Sequence, residues 1–354
     1  MKSAVSILIP IVGSKTIHET LDSVICQDLS DCEVLILRIG IKDLPENTEL
    51  VEKETYYRNT LIREIYIRTI RKGNALNIGI QHASHDLICV LDADCILKED
   101  ALSYAVSHFE NDEVVAVGER LLVKQEDYSA LERIQFYEYA KTFQLSRKIF
   151  ARLNAQCLIS GAFGMFRKAA LLEVNGYDTD TVGEDMELVL RLQDNHGKRS
   201  AHRTVYDSDA VCFTGVPYNL KRLLHQRDRW QRGLLDCLMK HHNMIANPLF
   251  GFLGLLTMIY QLIVGLLGPV FWCIYVALLI LEEAIPLCSM VFFGYYLLQI
   301  LLTIFVAAKD TTGELIRILP RLIITTLEAM LLQIPIIIAR MIGMITFYWR
   351  RLVW

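Results

Sequence analysis

Residues 87–94 read Leu87-Ile88-Cys89-Val90-Leu91-Asp92-Ala93-Asp94. Five consecutive apolar residues are typical of a short strand that is buried on both faces of a sheet. Two carboxylates follow this run, one residue apart. In open α/β sheets, ligands bind beyond the carboxyl ends of the strands, and paired carboxylates on a tight bend can hold a divalent cation that bridges a diphosphate. Aspartate is also common in ordinary turns and helix caps, so the pair by itself fits either explanation.

Similar apolar runs precede this stretch and alternate with helical patterns. Residues 6–10 and 33–37 predict two earlier strands. Alternation of this kind is typical of βαβ units. We therefore expect an α/β fold with a Rossmann-like, mostly parallel sheet over residues 1–246, followed by an α-helical transmembrane region over residues 247–354.

The composition excludes several classes of protein. Of the 354 residues, 53% are hydrophobic and 21% are charged, which excludes a disordered chain. The chain has 36 basic and 40 acidic residues and a net charge of −4, so we expect no nucleic-acid partner. The nine cysteines are odd in number and include no Cys-x-x-Cys pair, which favours a reducing compartment over a disulfide framework.

The apolar residues are concentrated in the last third of the chain. Residues 259–281 and 285–308 are each long enough to cross the hydrocarbon core of a bilayer, which takes about 20 helical residues. Residues 248–257 have the composition of a short helix lying at the membrane interface. A third apolar segment, 322–347, contains Glu328, and its sequence is compatible with a re-entrant, interfacial or spanning placement.

The charged residues around these segments predict the orientation of the chain. The loop between the two spanning segments carries Glu282 and Glu283, whereas Lys240 precedes the segments and Lys309 follows them. Basic residues are concentrated on the cytoplasmic side of membrane proteins. We therefore expect a multi-pass protein of the cell (inner) membrane, in contact with membrane lipids, whose residues 1–246 are cytoplasmic.

A second acidic pair lies at Thr181-Val182-Gly183-Glu184-Asp185. The apolar stripe that follows predicts a helix beginning here. Acidic residues are favoured in the first turn of a helix by its dipole, and this is one explanation of the pair. The other explanation is a general base, a carboxylate that stays ionised until it takes a proton from a hydroxyl group.

A third motif is Gln226-Arg227-Asp228-Arg229-Trp230. Its first, fourth and fifth residues share one face of a helix, because they are three and four positions apart. An amide, a fixed cation and an aromatic ring on one face suit a diphosphate and a sugar. The alternative is an amphipathic helix resting on the membrane, with four cations facing anionic lipid: Lys221, Arg222, Arg227 and Arg232.

Taken in order, these motifs resemble those of the glycosyltransferase family 2 synthases, a group that includes cellulose, chitin, hyaluronan and poly-N-acetylglucosamine synthases. The Asp-x-Asp pair is followed by Ser160-Gly161-Ala162-Phe163-Gly164, then by Gly183-Glu184-Asp185 and then by the Gln-x-x-Arg-Trp motif. Residues 71–77 also resemble the stretch that precedes Asp-x-Asp in this family. The resemblance extends from about Ser3 to the first membrane segments, and the ordered set is more specific than any single motif.

The resemblance implies a GT-A fold and transfer of a sugar from a nucleotide-sugar donor, with inversion at the anomeric carbon, to a glycan or lipid-linked acceptor. Asp94 would bind Mg²⁺ or Mn²⁺, and Asp92 would contact the nucleotide. Asp185, with Glu184 beside it, would be catalytic as the base that deprotonates the acceptor hydroxyl. The remaining matches imply nucleotide-sugar binding by Pro10, Lys72 and Asn77, and acceptor or diphosphate binding by Ser160, Gly161, Gln226, Arg229 and Trp230.

The chain departs from the family pattern where the nucleoside pocket is expected. The family usually carries a Tyr-Asn-Glu-like segment after the first strand and an Asp-Asp-Gly-Ser-like segment after the second. Here these positions read Val12-Gly13-Ser14 and Arg38-Ile39-Gly40, and a Thr-Glu-like pair is replaced by Thr214-Gly215. Asp43 is a candidate substitute for a lost carboxylate. A UDP-sugar donor is therefore an expectation from the resemblance alone.

Three functions are compatible with the sequence. The first is addition of sugars to a growing polysaccharide, with the membrane helices helping to carry the acceptor outward. The second is transfer of a single sugar to a lipid or lipid-linked acceptor, which differs from the first in product length. The third is an inactive partner of an active synthase, suggested by the altered nucleoside pocket. The joint retention of the acidic motifs and of Gln-x-x-Arg-Trp argues against the third.

Overall fold

The structure of the chain is a computed structural model. It describes residues 4–12, 17–28, 31–42, 44–45, 50–58, 60–69, 71–124, 129–194, 202–280 and 315–350, and positions 290, 294, 297, 298 and 301. Most of the predicted segment 285–308 lies outside the described residues, and so do Gly13, Ser14 and Asp43.

The helices and strands alternate along the first two thirds of the chain. The strands are β1 (Val5–Val12), β2 (Cys32–Ile39), β3 (Leu50–Tyr57), β4 (Thr60–Ile67), β5 (Leu87–Leu91), β6 (Cys95–Leu97), β7 (Val114–Val123), β8 (Phe163–Arg167) and β9 (Arg203–Thr214). The α-helices are α1 (His18–Ile25), α2 (Lys72–His82), α3 (Ala101–Ser107), α4 (Ala130–Lys141), α5 (Lys148–Arg152), α6 (Lys168–Glu173), α7 (Glu184–Asp194), α8 (Leu220–Lys240), α9 (Gly268–Ile280), α10 (Leu315–Ile345) and α11 (Phe347–Arg350). Short 3₁₀ or π-helical segments cover His108–Glu110, Thr142–Arg147, His242–Met244, Pro248–Phe250, Leu253–Met258 and Gln261–Leu266.

The strands form one mixed sheet, in the order β3-β4-β2-β1-β5-β8-β7-β9-β6. Strands β4, β2, β1 and β5 are parallel neighbours, and β7 is parallel to β9. The reversed strands are β8, which lies between β5 and β7, and the edge strands β3 and β6. Strand β3 is antiparallel to β4 because two residues connect them, which is too few for a crossover. The expected α/β fold with a mostly parallel sheet is confirmed, with these reversals as the difference.

Strand β5 lies near the middle of the sheet, and none of its residues is more than 5% exposed. Leu87, Cys89 and Leu91 belong to the hydrophobic cluster that α1 and α3 cover. Ile88 and Val90 belong to the cluster on the other face, which α2, α6 and α7 cover. The strand is therefore buried on both faces, as its five apolar residues predict, and its carboxyl end leads directly into Asp92–Asp94.

A third hydrophobic cluster joins this α/β part to the apolar C-terminal region. It combines Met186 and Leu190 of α7 and Cys237 of α8 with Leu253 and Met258 of the apolar region. The cluster therefore includes residues from both sides of the domain boundary expected at 246/247, which falls in a turn of the chain.

The apolar region contains a bent pair of helical segments. Among the described residues, no single helix is long and apolar enough to cross a membrane. Leu253–Leu266 and Gly268–Leu278 are long and apolar enough only when taken together, and they meet at a bend of 46°. The segment expected at 259–281 is therefore divided by a bend. Pro269 explains the break, because proline lacks a backbone N–H group and its ring clashes with the preceding helical turn.

Helix α10 contains the third apolar segment and packs against α4 and α8. Glu328 pairs with Arg133 of α4, with 2.8 Å between Oε2 and Nη2. Arg340 donates a hydrogen bond to Oε1 of Gln231 in α8 (2.7 Å) and another to the carbonyl oxygen of Gly265. Residues 328–340 therefore lie alongside the α/β part, where their charged side chains have partners.

Alanine substitution of two glycines in the apolar region tests this packing. A Cβ atom on Gly343 of α10 would lie 2.9 Å from the carbonyl oxygen of Asp228, whereas a Cβ on Gly268 would meet no atom within 4 Å. Exchanging glycine for alanine normally stabilises a helix by up to about 1 kcal/mol. Because Gly268 precedes Pro269, which disfavours a helical backbone for residues with a Cβ, we expect Gly268→Ala to change the free energy of unfolding by less than about 1 kcal/mol. Gly343→Ala should lower it by about 1–3 kcal/mol, as overpacking does. Thermal unfolding in detergent measures both, and equal effects would contradict the contact between α10 and α8.

Candidate active site

A cavity of about 440 Å³ lies where the carboxyl end of β5, the start of α7 and one face of α8 meet. Three motifs that are far apart in the sequence contribute to its wall. The predicted site residues that line it are Lys72, Asp92, Asp94, Ser160, Gly161, Glu184, Asp185, Gln226, Arg229 and Trp230.

Asp92 and Lys72 form an ion pair at one end of the cavity. The Nζ atom of Lys72, the first residue of α2, lies 2.5 Å from Oδ1 of Asp92 and 3.4 Å from the carbonyl oxygen of Gly161. Burial opposes the charge of Lys72, but the carboxylates of Asp92, Glu184 and Asp185 outweigh it and raise the pKa of this lysine. Lys72 therefore remains a cation among these carboxylates.

Asp94 is the candidate metal ligand. Its side chain is exposed on the cavity wall, three residues beyond the end of β5. In the described part of the chain, no three His, Cys, Asp or Glu side chains come together as a protein-only metal site. Mg²⁺ in nucleotide sites usually takes one or two carboxylates and completes its shell with water and substrate phosphates. The residues present therefore fit a divalent ion that binds together with a diphosphate.

The second acidic pair opens α7. Glu184 is 7% exposed, and burial, together with the neighbouring Asp185, raises the pKa of Glu184 to about 7. Oδ1 of Asp185 accepts a hydrogen bond from the backbone N–H of Met186 (2.9 Å). Two adjacent carboxylates disfavour each other's ionisation, so the charge of Asp185 adds to the effect of burial on the pKa of Glu184.

Two glycines bring α7 and α8 together. A Cβ atom on Gly183 would lie 3.0 Å from Cα of Gly233, and a Cβ on Gly233 would lie 3.0 Å from Cα of Gly183. The backbones therefore touch at a point where no side chain fits. This contact sets the first turn of α7, with Asp185, beside the face of α8 that carries Arg229 and Trp230.

Helix α8 presents Gln226, Arg229 and Trp230 to the cavity, as their spacing predicts. Between them, Arg227 also lines the cavity and pairs with Glu138 of α4, with 2.6 Å between Nη2 and Oε2. Its guanidinium carbon lies 4.5 Å from the centre of the Trp230 ring. Arg227 thus fixes the indole against α4.

The alternative in which four cations of α8 face lipid is wrong for two of them. Arg227 is 7% exposed and Arg232 is fully buried. Arg232 pairs with Asp228 one turn earlier, with 3.0 Å between Nη2 and Oδ2. Buried guanidinium groups need such partners because an unpaired charge is costly in the interior. Lys221 and Arg222 are exposed, as expected.

The cavity does not include Pro10 or Asn77. Pro10 is buried within β1, opposite Leu37 of β2. Both amide atoms of Asn77 bind the backbone of Tyr177: Nδ2 donates to its carbonyl oxygen (2.8 Å), and Oδ1 accepts from its N–H (2.7 Å). Asn77 therefore holds the loop that leads to α7, and nucleotide contacts by these two residues stay a prediction.

Arg38, which replaces an acidic residue of the family pattern, has partners within the sheet. Its Nε atom lies 2.8 Å from Oε2 of Glu64 on β4, and its guanidinium carbon lies 5.7 Å from the centre of the Tyr66 ring. The hydrogen bonds that Arg38 donates to the Glu64 carboxylate are the main cause that raises the pKa of Arg38, so the guanidinium stays charged. The end of β2 therefore carries a guanidinium that is paired with Glu64 and Tyr66 of β4, where the family pattern has an acidic residue.

Sequence patterns missed other residues of the cavity wall. Glu138, Tyr139 and Arg147 come from α4 and the π-helical segment after it, and Gln261 comes from the bent apolar pair. Segments 130–147 and 253–266 carry no motif, and only the tertiary fold brings them over the sheet. A polar residue inside an apolar segment, such as Gln261, was the one available signal.

The fold and the site together define a transferase-like α/β protein of the GT-A type. The chain shares this fold with a mannosyltransferase from Pyrobaculum calidifontis in complex with GDP-Man and Mn²⁺, with a TM-score of 0.63. The superposition covers 99% of this chain and 88% of that protein at 18% sequence identity, which shows the fold alone. The expected GT-A fold is therefore confirmed.

The family follows from the sequence comparison. Residues 87–307 match the family model Glycosyl transferase family group 2, so the chain belongs to this family. Poly-beta-1,6-N-acetyl-D-glucosamine synthases from Staphylococcus aureus (strain COL) and Staphylococcus epidermidis are each 31% identical to it, over 228 and 229 residues. These alignments cover 64% of this chain and 53% of each relative, so the chain spans about half the length of the curated relatives it matches.

The pKa of Glu184 leads to a prediction about stability. Since this pKa is about 7, the folded chain keeps a proton that the unfolded chain releases above about pH 4.3. The contribution of this group to stability is fully present below pH 4.3 and is lost as the pH rises to about 7.

We expect Glu184→Gln to shrink the difference in Tm between pH 5 and pH 8 by a few degrees. The matched control, Glu99→Gln at an exposed position, should keep the wild-type difference. Identical pH dependence of wild type and Glu184→Gln would refute the shift.

Proposed function

We propose that the protein is a membrane-bound, inverting glycosyltransferase that moves a sugar from a nucleotide-sugar donor to a growing polysaccharide. The observation that carries this proposal is the convergence of Asp92–Asp94, Glu184-Asp185 and the Gln-x-x-Arg-Trp face on one cavity. The 31% identity to poly-beta-1,6-N-acetyl-D-glucosamine synthases supports a polysaccharide as the product and an N-acetylglucosamine nucleotide as the donor.

The donor would bind at the end of the cavity formed by Asp92, Asp94 and Lys72. Asp92 would contact the nucleotide, and Lys72 would hold the Asp92 carboxylate in place. Departure of the nucleoside diphosphate builds negative charge on the leaving oxygen. Arg229 would stabilise this charge from α8, and Mg²⁺ or Mn²⁺ bound at Asp94 would supply Lewis-acid stabilisation of the same oxygens.

Asp185 would act as the base. The acceptor hydroxyl transfers its proton to the Asp185 carboxylate while its oxygen forms a bond to the anomeric carbon of the donor sugar. The bond from that carbon to the diphosphate breaks on the opposite side, so the configuration inverts. Glu184 would be only partly ionised near neutral pH, because burial and Asp185 raise its pKa to about 7, and this would reduce the negative charge beside the base.

Trp230 and Gln226 would bind the acceptor sugar. The Trp230 side chain is 42% exposed on the cavity side of α8, and Arg227 holds it from behind. An aromatic ring that is fixed and exposed suits stacking on a sugar face. Ser160 and Gly161 would approach the acceptor from the opposite wall.

Residues 247–354 would attach the α/β part, residues 1–246, to the cytoplasmic face of the cell membrane. A row of large apolar side chains before the bend supports this placement: Leu249 (87% exposed), Phe252 (55%), Leu255 (47%) and Leu256 (42%). Large exposed apolar patches mark membrane or partner contacts. The outer face of α10 is also apolar and exposed at Leu331, Ile338 and Ile345, which supports an interfacial course for residues 328–345.

Activity with nucleotide sugars tests the proposal. Purified protein in nanodiscs should hydrolyse or transfer from at least one of UDP-N-acetylglucosamine, UDP-glucose and GDP-mannose when Mg²⁺ or Mn²⁺ is present. We expect Asp185→Asn to lower the rate at least a hundredfold, as loss of a general base does, while binding of UDP is nearly unchanged. Asp194→Asn, an exposed position at the other end of α7, should keep the wild-type rate.

The products distinguish the candidate functions. A ladder of oligomers on gel or by mass spectrometry supports polysaccharide synthesis, and a single addition supports transfer to a lipid-linked acceptor. Absence of turnover with every donor, with UDP binding retained, would favour an inactive partner subunit. Equal rates for wild type and Asp185→Asn would remove Asp185 as the base.

Fluorescence in nanodiscs tests the membrane placement. A single cysteine at position 249 or at position 56 carries an environment-sensitive dye, with the other reactive cysteines replaced. Both native side chains are exposed, Leu249 by 87% and Tyr56 by 73%, but Tyr56 lies on the edge strand β3. Lipids brominated near the headgroup should quench the dye at position 249 and leave the dye at position 56 unaffected. Equal quenching at both positions would refute the interfacial placement.

A further inference from the structure

Residues 176–183 form the loop that leads into α7. The loop contains neither helix nor strand, and Glu184 directly after it is the first residue of α7. The position of the acidic pair therefore depends on where this loop is held. A segment without regular backbone hydrogen bonds is held only by contacts with its neighbours. Two helices, α2 and α8, supply such contacts, and α2 also reaches the proposed donor end of the cavity.

Asn77 of α2 holds the start of this loop with both atoms of its side-chain amide. Nδ2 donates a hydrogen bond to the carbonyl oxygen of Tyr177 (2.8 Å), and Oδ1 accepts one from the N–H of the same residue (2.7 Å). Gly176 has a φ of +69°, and a Cβ atom there would overlap Oδ1 of Asn77. Only glycine adopts this backbone conformation without cost. The amide of Asn77 therefore fits one conformation of the loop.

The same helix contacts the proposed donor end. Lys72 is the first residue of α2, and its Nζ atom lies 2.5 Å from Oδ1 of Asp92. The next residue, Gly73, packs on the loop, since a Cβ atom there would lie 3.1 Å from the carbonyl oxygen of Asp178. Asn77 follows Lys72 by about 7.5 Å along the helix axis, at 1.5 Å per residue. One short stretch of α2 therefore contacts both Asp92 and the loop before α7.

Helix α8 contacts the same loop at two points. Nζ of Lys240 lies 2.5 Å from Oδ2 of Asp178. At the end of the loop, the backbone of Gly183 touches that of Gly233, and Sγ of Cys237 lies 3.5 Å from the carbonyl oxygen of Gly183. The loop is therefore attached to α2 near its start and to α8 near its end. The contacts of α2 are the ones that relate it to the donor end.

We propose that Asn77 is a positioning residue, which sets Asp185 relative to the donor by fixing the loop before α7 to the helix that carries Lys72. The inference rests on the proposed function in one respect, the role of Asp185 as base. Asn77 does not line the cavity, so this role differs from the nucleotide contact that the family resemblance implies. A shift of about 1 Å between reacting groups can lower a rate about a hundredfold, which makes such a hold on the loop important for turnover.

Kinetics and UDP binding in nanodiscs test the role of Asn77. Asn77→Ala removes both hydrogen bonds to Tyr177, and we expect kcat to fall by about tenfold or more while the donor KM and the Kd for UDP stay within about twofold. Asn77→Asp keeps the bond from the Tyr177 N–H and loses the other, so it should also lower kcat, and it carries the test if Asn77→Ala does not fold. Calorimetry counts the UDP-binding molecules, and kcat is expressed per binding site. Gln81→Ala, at an exposed position of α2, should keep the wild-type values.

Amide hydrogen exchange, followed by mass spectrometry, measures the hold on the loop without turnover. We expect peptides that cover residues 176–187 to exchange about tenfold faster in the Asn77 variant, because local opening becomes easier there. Peptides from β1 and from the middle of α8 should keep their wild-type rates. Equal acceleration in all peptides would indicate a general loss of stability and overturn the inference, and so would unchanged exchange of residues 176–187.

The kinetic outcomes also distinguish the two possible roles of Asn77. A Kd for UDP that rises about tenfold while kcat is unchanged would make Asn77 a nucleotide ligand and overturn the inference. A wild-type kcat together with a wild-type Kd would overturn it as well.

The variant Asp185→Asn separates this inference from the proposed function. If Asp185→Asn retains activity, or if no donor is turned over, the proposed function is wrong and the inference fails with it. If Asp185→Asn is inactive and the Asn77 variant keeps the wild-type kcat, the positioning role of Asn77 alone is wrong.

Discussion

The site depends on the contact between Gly183 and Gly233. The backbones of α7 and α8 approach so closely there that a Cβ atom on either glycine would lie 3.0 Å from Cα of the other. This approach sets the acidic pair at the start of α7 beside the cationic and aromatic face of α8. Neither motif forms a site alone, since Glu184 and Asp185 lack a cation of their own and α8 contributes no base. Two small residues therefore permit the convergence on which the proposed chemistry rests.

Ion pairs and burial together reduce the net negative charge of the cavity. Lys72 pairs with Asp92 at the proposed donor end, and Arg227 pairs with Glu138 beside Trp230. Burial also reduces the ionisation of Glu184 near neutral pH, because it raises the pKa of this side chain to about 7. The result is a cavity with several acidic residues whose negative charge is smaller than their number suggests. That balance suits a ligand that brings its own diphosphate charge.

The apolar region is part of the same packed structure as the α/β part. Thr257 donates a hydrogen bond to the carbonyl oxygen of Ala155 at a fully buried position (2.7 Å). At the bend, Gln231 and Arg340 both donate to the carbonyl oxygen of Gly265, which helix geometry leaves unsatisfied there. Gln231 follows Trp230 in α8, so these hydrogen bonds join the bend and α10 to the helix that carries the proposed acceptor-binding face. Movement of the apolar region would therefore displace residues at the proposed acceptor site.

The sequence by itself determined the α/β class, the buried strand β5 and the motifs that line the cavity, because strand burial and motif spacing are local properties of the chain. It also indicated the apolar C-terminal region. It did not predict that the segment from residue 259 would bend, that Arg227 and Arg232 would be buried, or that Arg147 would line the cavity. These features depend on which segments meet across the sheet, and contacts such as Gly183 with Gly233 or Arg147 with Glu119 join residues about 30 to 50 positions apart without any periodic signal. Only the tertiary structure decided them, because long-range packing determines which charges lose their water and which partners replace it.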